Sequence, residues 1–136
     1  MKTILKTITT LFIISSFVLI SCSKKDDDTT AQDPIIGEWI IKEASLGGEK
    51  ETLTDCTKKN SITFKAGGAG SGISTYDDGD QCISSSLNLT WENKGDNKYS
   101  YTFTSSGETF TLPFSLANNL LTVDLGDGDY SVYTKK

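Results

Sequence analysis

No histidine and no arginine occur among the 136 residues, and proline appears only twice. Without histidine there is no Ser-His or Cys-His nucleophilic pair, no imidazole base near neutral pH and no imidazole ligand for zinc or iron. Without arginine there is no planar fork for bidentate capture of phosphate or carboxylate. All 13 cations are therefore lysine, set against 18 acids, for a formal charge of -5. That sign opposes nucleic acid as a partner, since phosphate calls for a lysine or arginine surface. An acidic surface mainly signals solubility. A chain of this length has room for one ordinary domain once any targeting segment is subtracted.

Such a segment opens the chain. Met1 to Ser21 has lysines at positions 2 and 6, an apolar stretch LFIISSFVLI from Leu11 to Ile20, a small Ser21 and no acid. These are the parts of an export signal. A membrane-spanning helix needs about 20 predominantly apolar residues, which this run barely reaches even when counted back to Ile4. Residues 1–21 are thus expected to be a cleaved signal, and removal of Lys2 and Lys6 leaves 11 lysines against 18 acids.

The four residues Leu19-Ile20-Ser21-Cys22 resemble the lipobox of bacterial lipoproteins, in which the cysteine after a small residue is lipidated and becomes the new amino terminus. The bland reading, a buried free cysteine closing an apolar strand, leaves the charges that follow without a role. The resemblance implies two or three acyl chains on Cys22, and at about 0.8 kcal/mol per buried CH₂ these hold a protein in a bilayer. Ser23-Lys24-Lys25-Asp26-Asp27-Asp28 is similar to the lysine-then-acid tag of surface lipoproteins in Bacteroidetes-type bacteria. It implies a place on the outer membrane, facing outward. Residues 22–34 are polar, lack an apolar period and read as a disordered tether.

From Ile35 to Lys136 the pattern changes to short period-two runs, separated every eight to twelve residues by glycine, asparagine or aspartate. That is the signature of antiparallel strands with one buried face. The clearest are 86–92, 99–104 and 109–112. Others are expected at about 37–46, 60–66, 70–77, 118–125 and 129–134, which makes eight. Gly95, Ser106-Gly107, Asn118-Asn119 and Asp127-Gly128 supply hairpin turns, the last suited to type I′ because both central residues take positive φ. The expected fold is all-β: an eight-stranded antiparallel up-and-down meander closed into a barrel, which hides both edges. Pro113 cannot donate to a ladder, so a bulge or an incomplete seam is expected there. The rival is an immunoglobulin-like sandwich, which lacks support because no tryptophan lies between Cys56 and Cys82. Pairing of the first and last strands decides between the two.

Gly37-Glu38-Trp39, at the head of the first strand, resembles the G-x-W signature of lipocalins, whose tryptophan packs across the closed end of the barrel. The last hundred residues are also similar to the small lipocalin-like domains of Bacteroidetes lipoproteins. The matching pieces are Asp55-Cys56, Lys58-Lys59-Asn60-Ser61-Ile62-Thr63-Phe64, Gly67-Gly68, Cys82 and Leu89-Thr90-Trp91. Two features depart from full-length lipocalins: no arginine is available to pack over the tryptophan, and nothing remains after Tyr133 for a carboxyl-terminal helix. These departures lead to the expectation of a small or filled barrel interior.

With Cys22 assigned to lipid, Cys56 and Cys82 form an even pair in an oxidising compartment and are expected to join in a disulfide. A redox pair normally uses a closer C-x-x-C arrangement. The acids of 77–80 and 124–129 invite a calcium reading, but neither run has the glutamate that ends an EF-hand loop, and aspartate beside glycine is what hairpins select. No metal is expected. GGAGSG, Gly67 to Gly72, lacks the lysine and helix of a phosphate loop and reads as a mobile turn. Glu38, Glu43, Glu92 and Glu108 could supply a hydrolytic pair, yet no spacing sets two face to face, and no catalytic residue is assigned.

The aromatic residues can serve as core or as pocket lining. As lining, the candidates are Trp39, Phe64, Trp91, Tyr99, Tyr101 and Phe103, taking a small hydrophobic ligand with tyrosine hydroxyls as polar handles. The expected function is therefore non-enzymatic: a monomeric, lipid-anchored envelope protein that binds a small hydrophobic ligand without any cofactor. The alternative is a protein- or glycan-interaction module with a filled core, and a carboxylate hydrolase stands third. Empty volume separates the first two, since a void well below roughly 300 Å³ speaks against a carrier.

Overall fold

The computed structural model describes residues 32–136. Cys22 and the signal segment lie outside them. The chain forms β1 (Gly37–Leu46), a two-residue β2 (Glu49–Lys50), β3 (Ser61–Phe64), β4 (Ala69–Asp78), β5 (Gln81–Gly95), β6 (Lys98–Ser105), β7 (Glu108–Ala117), β8 (Leu120–Gly126) and β9 (Asp129–Lys135). Each strand follows its neighbour antiparallel, and β9 returns to pair with β1 from Trp39↔Lys135 to Ser45↔Tyr130. That pairing closes the sheet into a barrel of eight strands, with β2 as a short flap on β1, and excludes the sandwich.

Period two explains which residues fill the barrel. On β6, Tyr99 and Tyr101 are buried while Ser100 and Thr102 face outward; on β8, Leu121 and Val123 are wholly buried. The two-residue turns have positive φ at both centres, as at Asn118-Asn119 (52° and 60°) and Asp127-Gly128 (54° and 88°). This is the primed geometry that matches strand twist.

The ladders define two ends. Gly37, Phe64, Gly70, Asn93 and Lys135 gather at the closed end, while the turns after β4, β6 and β8 gather at the open one. Ile35, fully buried, plugs the closed end from the segment before β1. Trp39 lies against it and donates its indole N–H to the Ile35 carbonyl at 2.6 Å. Where an arginine is missing, Lys135 takes the position over the indole: its Nζ lies 5.6 Å from the ring centroid and donates to the Pro34 carbonyl at 2.9 Å. A cation over tryptophan keeps its hydrogen bonding to water or carbonyl while gaining the ring's quadrupole attraction.

Pro113 produces an incomplete seam and no bulge. The β6–β7 register runs unbroken through Ser100↔Pro113, but the β7–β8 ladder spans only Phe114↔Val123 to Ala117↔Leu120. The proline stands at the first position past that ladder, where a missing N–H costs nothing. GGAGSG is a turn only in its first half, and its second half belongs to the strand expected from about 70. Gly67 and Gly68, at φ 80° and 83°, make the turn, but Gly70 and Gly72 are inward positions of β4. A Cβ at Gly70 would lie 2.5 Å from Leu89 Cδ1 and 2.6 Å from the Thr63 carbonyl, so glycine here gives up its volume to a leucine.

Cys56 and Cys82 are joined by a disulfide. It holds the 51–60 segment against the outer face of the β4–β5 hairpin. Thr75 is buried beneath that segment, with its hydroxyl donating to the Cys56 carbonyl at 2.7 Å and its N–H to Asn60 Oδ1.

Candidate functional site

The closed half of the barrel is packed with rings. Phe64 stacks on Phe114 at 5.0 Å between centroids, and Phe114 on Tyr99 at 5.1 Å. Trp91 meets Phe64 edge-on at 6.1 Å. Stacked and edge-to-face pairs at these separations are favourable geometries for aromatic quadrupoles. Trp39, Phe64 and Tyr99 are 1 to 3% exposed. The polar edge of Trp91 is already engaged, its indole N–H being shared between the Lys65 and Ala69 carbonyls. Four of the six aromatic residues expected to line a pocket thus form the packed base of the barrel.

Tyr101 and Phe103 do line a cavity. It lies toward the open end, is half-enclosed, has a volume of about 180 Å³, and is walled chiefly by Ile62, Leu87, Leu89, Tyr101, Phe103 and Tyr133. Gly72 makes its floor on β4, and Asn60 brings an amide to the rim. The volume falls short of the roughly 300 Å³ at which pockets for drug-sized ligands begin. The aromatic signal drew attention to Tyr101 and Phe103; Leu87, Leu89, Gly72 and Tyr133 were missed because ordinary core residues carry no chemical mark. Their common inward parity on adjacent strands was the available signal.

Besides Asn60, Ser61 and Ser74, the cavity's polar features include two tyrosine hydroxyls. Burial pushes the Tyr101 phenol far up, with the neighbouring Tyr133 adding to it, and burial pushes Tyr133 up as well. Both are neutral donors over the physiological range. Tyr101 is only 8% exposed and its hydroxyl makes no hydrogen bond to another described residue. No wholly buried side-chain polar atom is left unpaired among the described residues. The Tyr101 hydroxyl therefore opens onto the cavity.

Outside the barrel, the incomplete seam leaves a shallow groove of about 510 Å³ bordered by Lys98, Pro113, Thr122, Asp124 and Tyr130. The acids nearby serve the turns. Asp129 accepts from the Gly47 and Gly48 N–H groups at 3.0 and 2.9 Å, with the Gly48 bond leading in holding its carboxyl below the usual range. Asp124 accepts from Gly126 N–H at 2.9 Å. Among the described residues, no group of three or more Cys, Asp or Glu is arranged to hold a metal ion. Glu38, Glu43 and Glu92 each pair with an exposed lysine: Lys136, Lys50 and Lys94. None of these three faces the cavity.

The family described as "Lipocalin-like domain" matches residues 35–123. No curated protein matches the chain in sequence. Among solved structures, a Schistosoma mansoni fatty acid binding protein in complex with arachidonic acid is similar at 13% identity and TM-score 0.40, over 76% of this chain and 97% of that one. A variant of the fluorescent protein UnaG is similar at 15% identity and TM-score 0.39, over 76% of this chain and 96% of that one.

Proposed function

We propose, for a chain that belongs to the lipocalin-like domain family, a non-catalytic binding role in which the barrel mouth takes an apolar ligand about the size of one aromatic ring. The cavity of about 180 Å³ above a base of packed rings carries this reading. An apolar cavity of about 150 Å³ is enough to hold benzene. A long acyl chain is out of scale unless the stacked base opens. The Tyr101 and Tyr133 hydroxyls supply the orienting polar contacts that such sites use. The lipobox-like Leu19 to Cys22 and the lysine-acid run after it support a lipid anchor at the bacterial outer membrane, with the binding domain outside the cell.

Protein-observed NMR with benzyl alcohol tests the ligand site. Shifts confined to Ile62, Gly72, Leu87, Leu89, Tyr101 and Phe103 are expected, and Gly72→Val should erase them. A Cβ at Gly72 meets Leu87 Cδ1 at 3.3 Å, so the added methyls rise into the cavity against a side chain that must give way, and unchanged spectra for β6 to β9 check that the fold is kept. Shifts confined to Pro113, Thr122 and Tyr130 would instead support the second reading, an interaction module acting through the outer groove.

A further inference from the structure

Resting on that reading of the cavity, we infer that the barrel mouth selects neutral or cationic ligands and rejects carboxylates. The first observation is the lining itself. None of the cavity residues is cationic, and the polar side chains of the lining are all neutral: Tyr101, Tyr133, Asn60, Ser61 and Ser74. A carboxylate entering this site would leave water for two phenols and an amide, with no counter-charge to offset its desolvation. An ammonium or hydroxyl group loses less, because the phenol oxygens accept, whereas the Asn60 amide oxygen is already taken by Thr75.

The second observation is how charge is divided between the ends of the barrel. The three hairpins at the open end contain no lysine between Tyr76 and Ile83, between Phe103 and Phe110, or between Asp124 and Tyr130. They carry Asp78, Asp80, Glu108, Asp124, Asp127 and Asp129. Lys50 and Lys58, from neighbouring segments, are each engaged by a carboxylate, Glu43 and Asp55, leaving Lys59 beside Asn60 as the nearby cation. At the closed end Lys65, Lys94, Lys98, Lys135 and Lys136 stand against Asp33, Glu38, Glu92 and Asp96, with Lys94 and Lys136 paired to Glu92 and Glu38, so that end is close to neutral. Charges of one sign around a low-dielectric opening focus the field and raise the local concentration of the opposite sign. The apolar wall takes a ring, the Tyr101 hydroxyl binds the polar end, and the acidic turns set which charge may stand there.

Three probes of one size isolate the charge: benzyl alcohol, benzylammonium and benzoate, titrated by protein-observed NMR at pH 7.5 against residues 32–136 and against the full chain in detergent. In about 20 mM salt, benzylammonium should bind about fivefold tighter than benzyl alcohol, and benzoate at least about fivefold weaker, with both gaps closing by about 0.5 M salt as screening sets in. Asp78→Asn with Asp80→Asn and Glu108→Gln, all on exposed turns, should shrink the spread between the charged probes and leave benzyl alcohol unchanged. Tyr101→Phe should weaken benzyl alcohol and benzylammonium while leaving the salt dependence in place. Benzoate binding as tightly as benzyl alcohol overturns the selectivity and leaves the cavity reading standing. Absence of shifts at the cavity residues with all three probes overturns both.

Discussion

Asp33 shows how one carboxylate can finish a barrel. Its Oδ1 accepts from the Tyr99 hydroxyl at 3.1 Å and from the Ile35 N–H at 3.2 Å, and its Oδ2 accepts from the Asn93 side-chain amide at 2.8 Å. Asp33→Ala strands a buried phenol, so a loss of about 1 to 3 kcal/mol is expected in urea unfolding. Tyr99→Phe in the same background should recover part of it. The pair also makes a pH signature. Burial and Asp33 push Tyr99 up to about 12. Between pH 10 and about 12 the folded state holds a proton that the unfolded chain gives up, so stability falls as pH rises through that window. Tyr99→Phe should make the fall shallower, measured as urea midpoints at pH 9 and pH 11.5. Composition placed Asp33 in the tether, and nothing local could have moved it. Its side-chain partners lie 60 and 66 residues away, and an aspartate before a proline looks the same in a tether as in a cap.

Among the elements, the β4–β5 hairpin and the 51–60 segment stand or fall together. The disulfide separates its cysteines by 26 residues, which corresponds to about 3 to 4 kcal/mol on the chain-entropy account. Reduction, or Cys56→Ala with Cys82→Ala, should lower stability by about that much and raise amide exchange at Thr75, while the β6–β9 ladders stay protected. The strands themselves were legible in the sequence. Alternation on β6 and positive-φ turn pairs such as Asp127-Gly128 act locally, so they survive without tertiary information. The glycine run was only half legible, because one residue type does two jobs. Gly67 and Gly68 permit a turn, whereas Gly70 yields space to Leu89, and only the neighbouring strand shows which job applies.

For the whole molecule, closure and a small or filled interior were legible, and the volume itself was not. Eight period-two strands with short turns call for a closed sheet. Cavity volume is the small difference between the barrel's girth and the side chains inside it, and the ring stack of Phe64, Phe114 and Tyr99 takes most of that girth. The anchor is the remaining question at this scale: Cys22→Ser should abolish radioactive fatty-acid labelling and release the protein from the membrane fraction, and continued labelling would sink the proposal.

The cap of Asp33, Pro34 and Ile35 fixes where the tether departs. All three lie at the closed end, opposite the mouth. The mouth stands about 25 Å of strand length from this cap, at the opposite end of the barrel. A ligand therefore enters from the end of the barrel that the amino-terminal cap leaves uncovered.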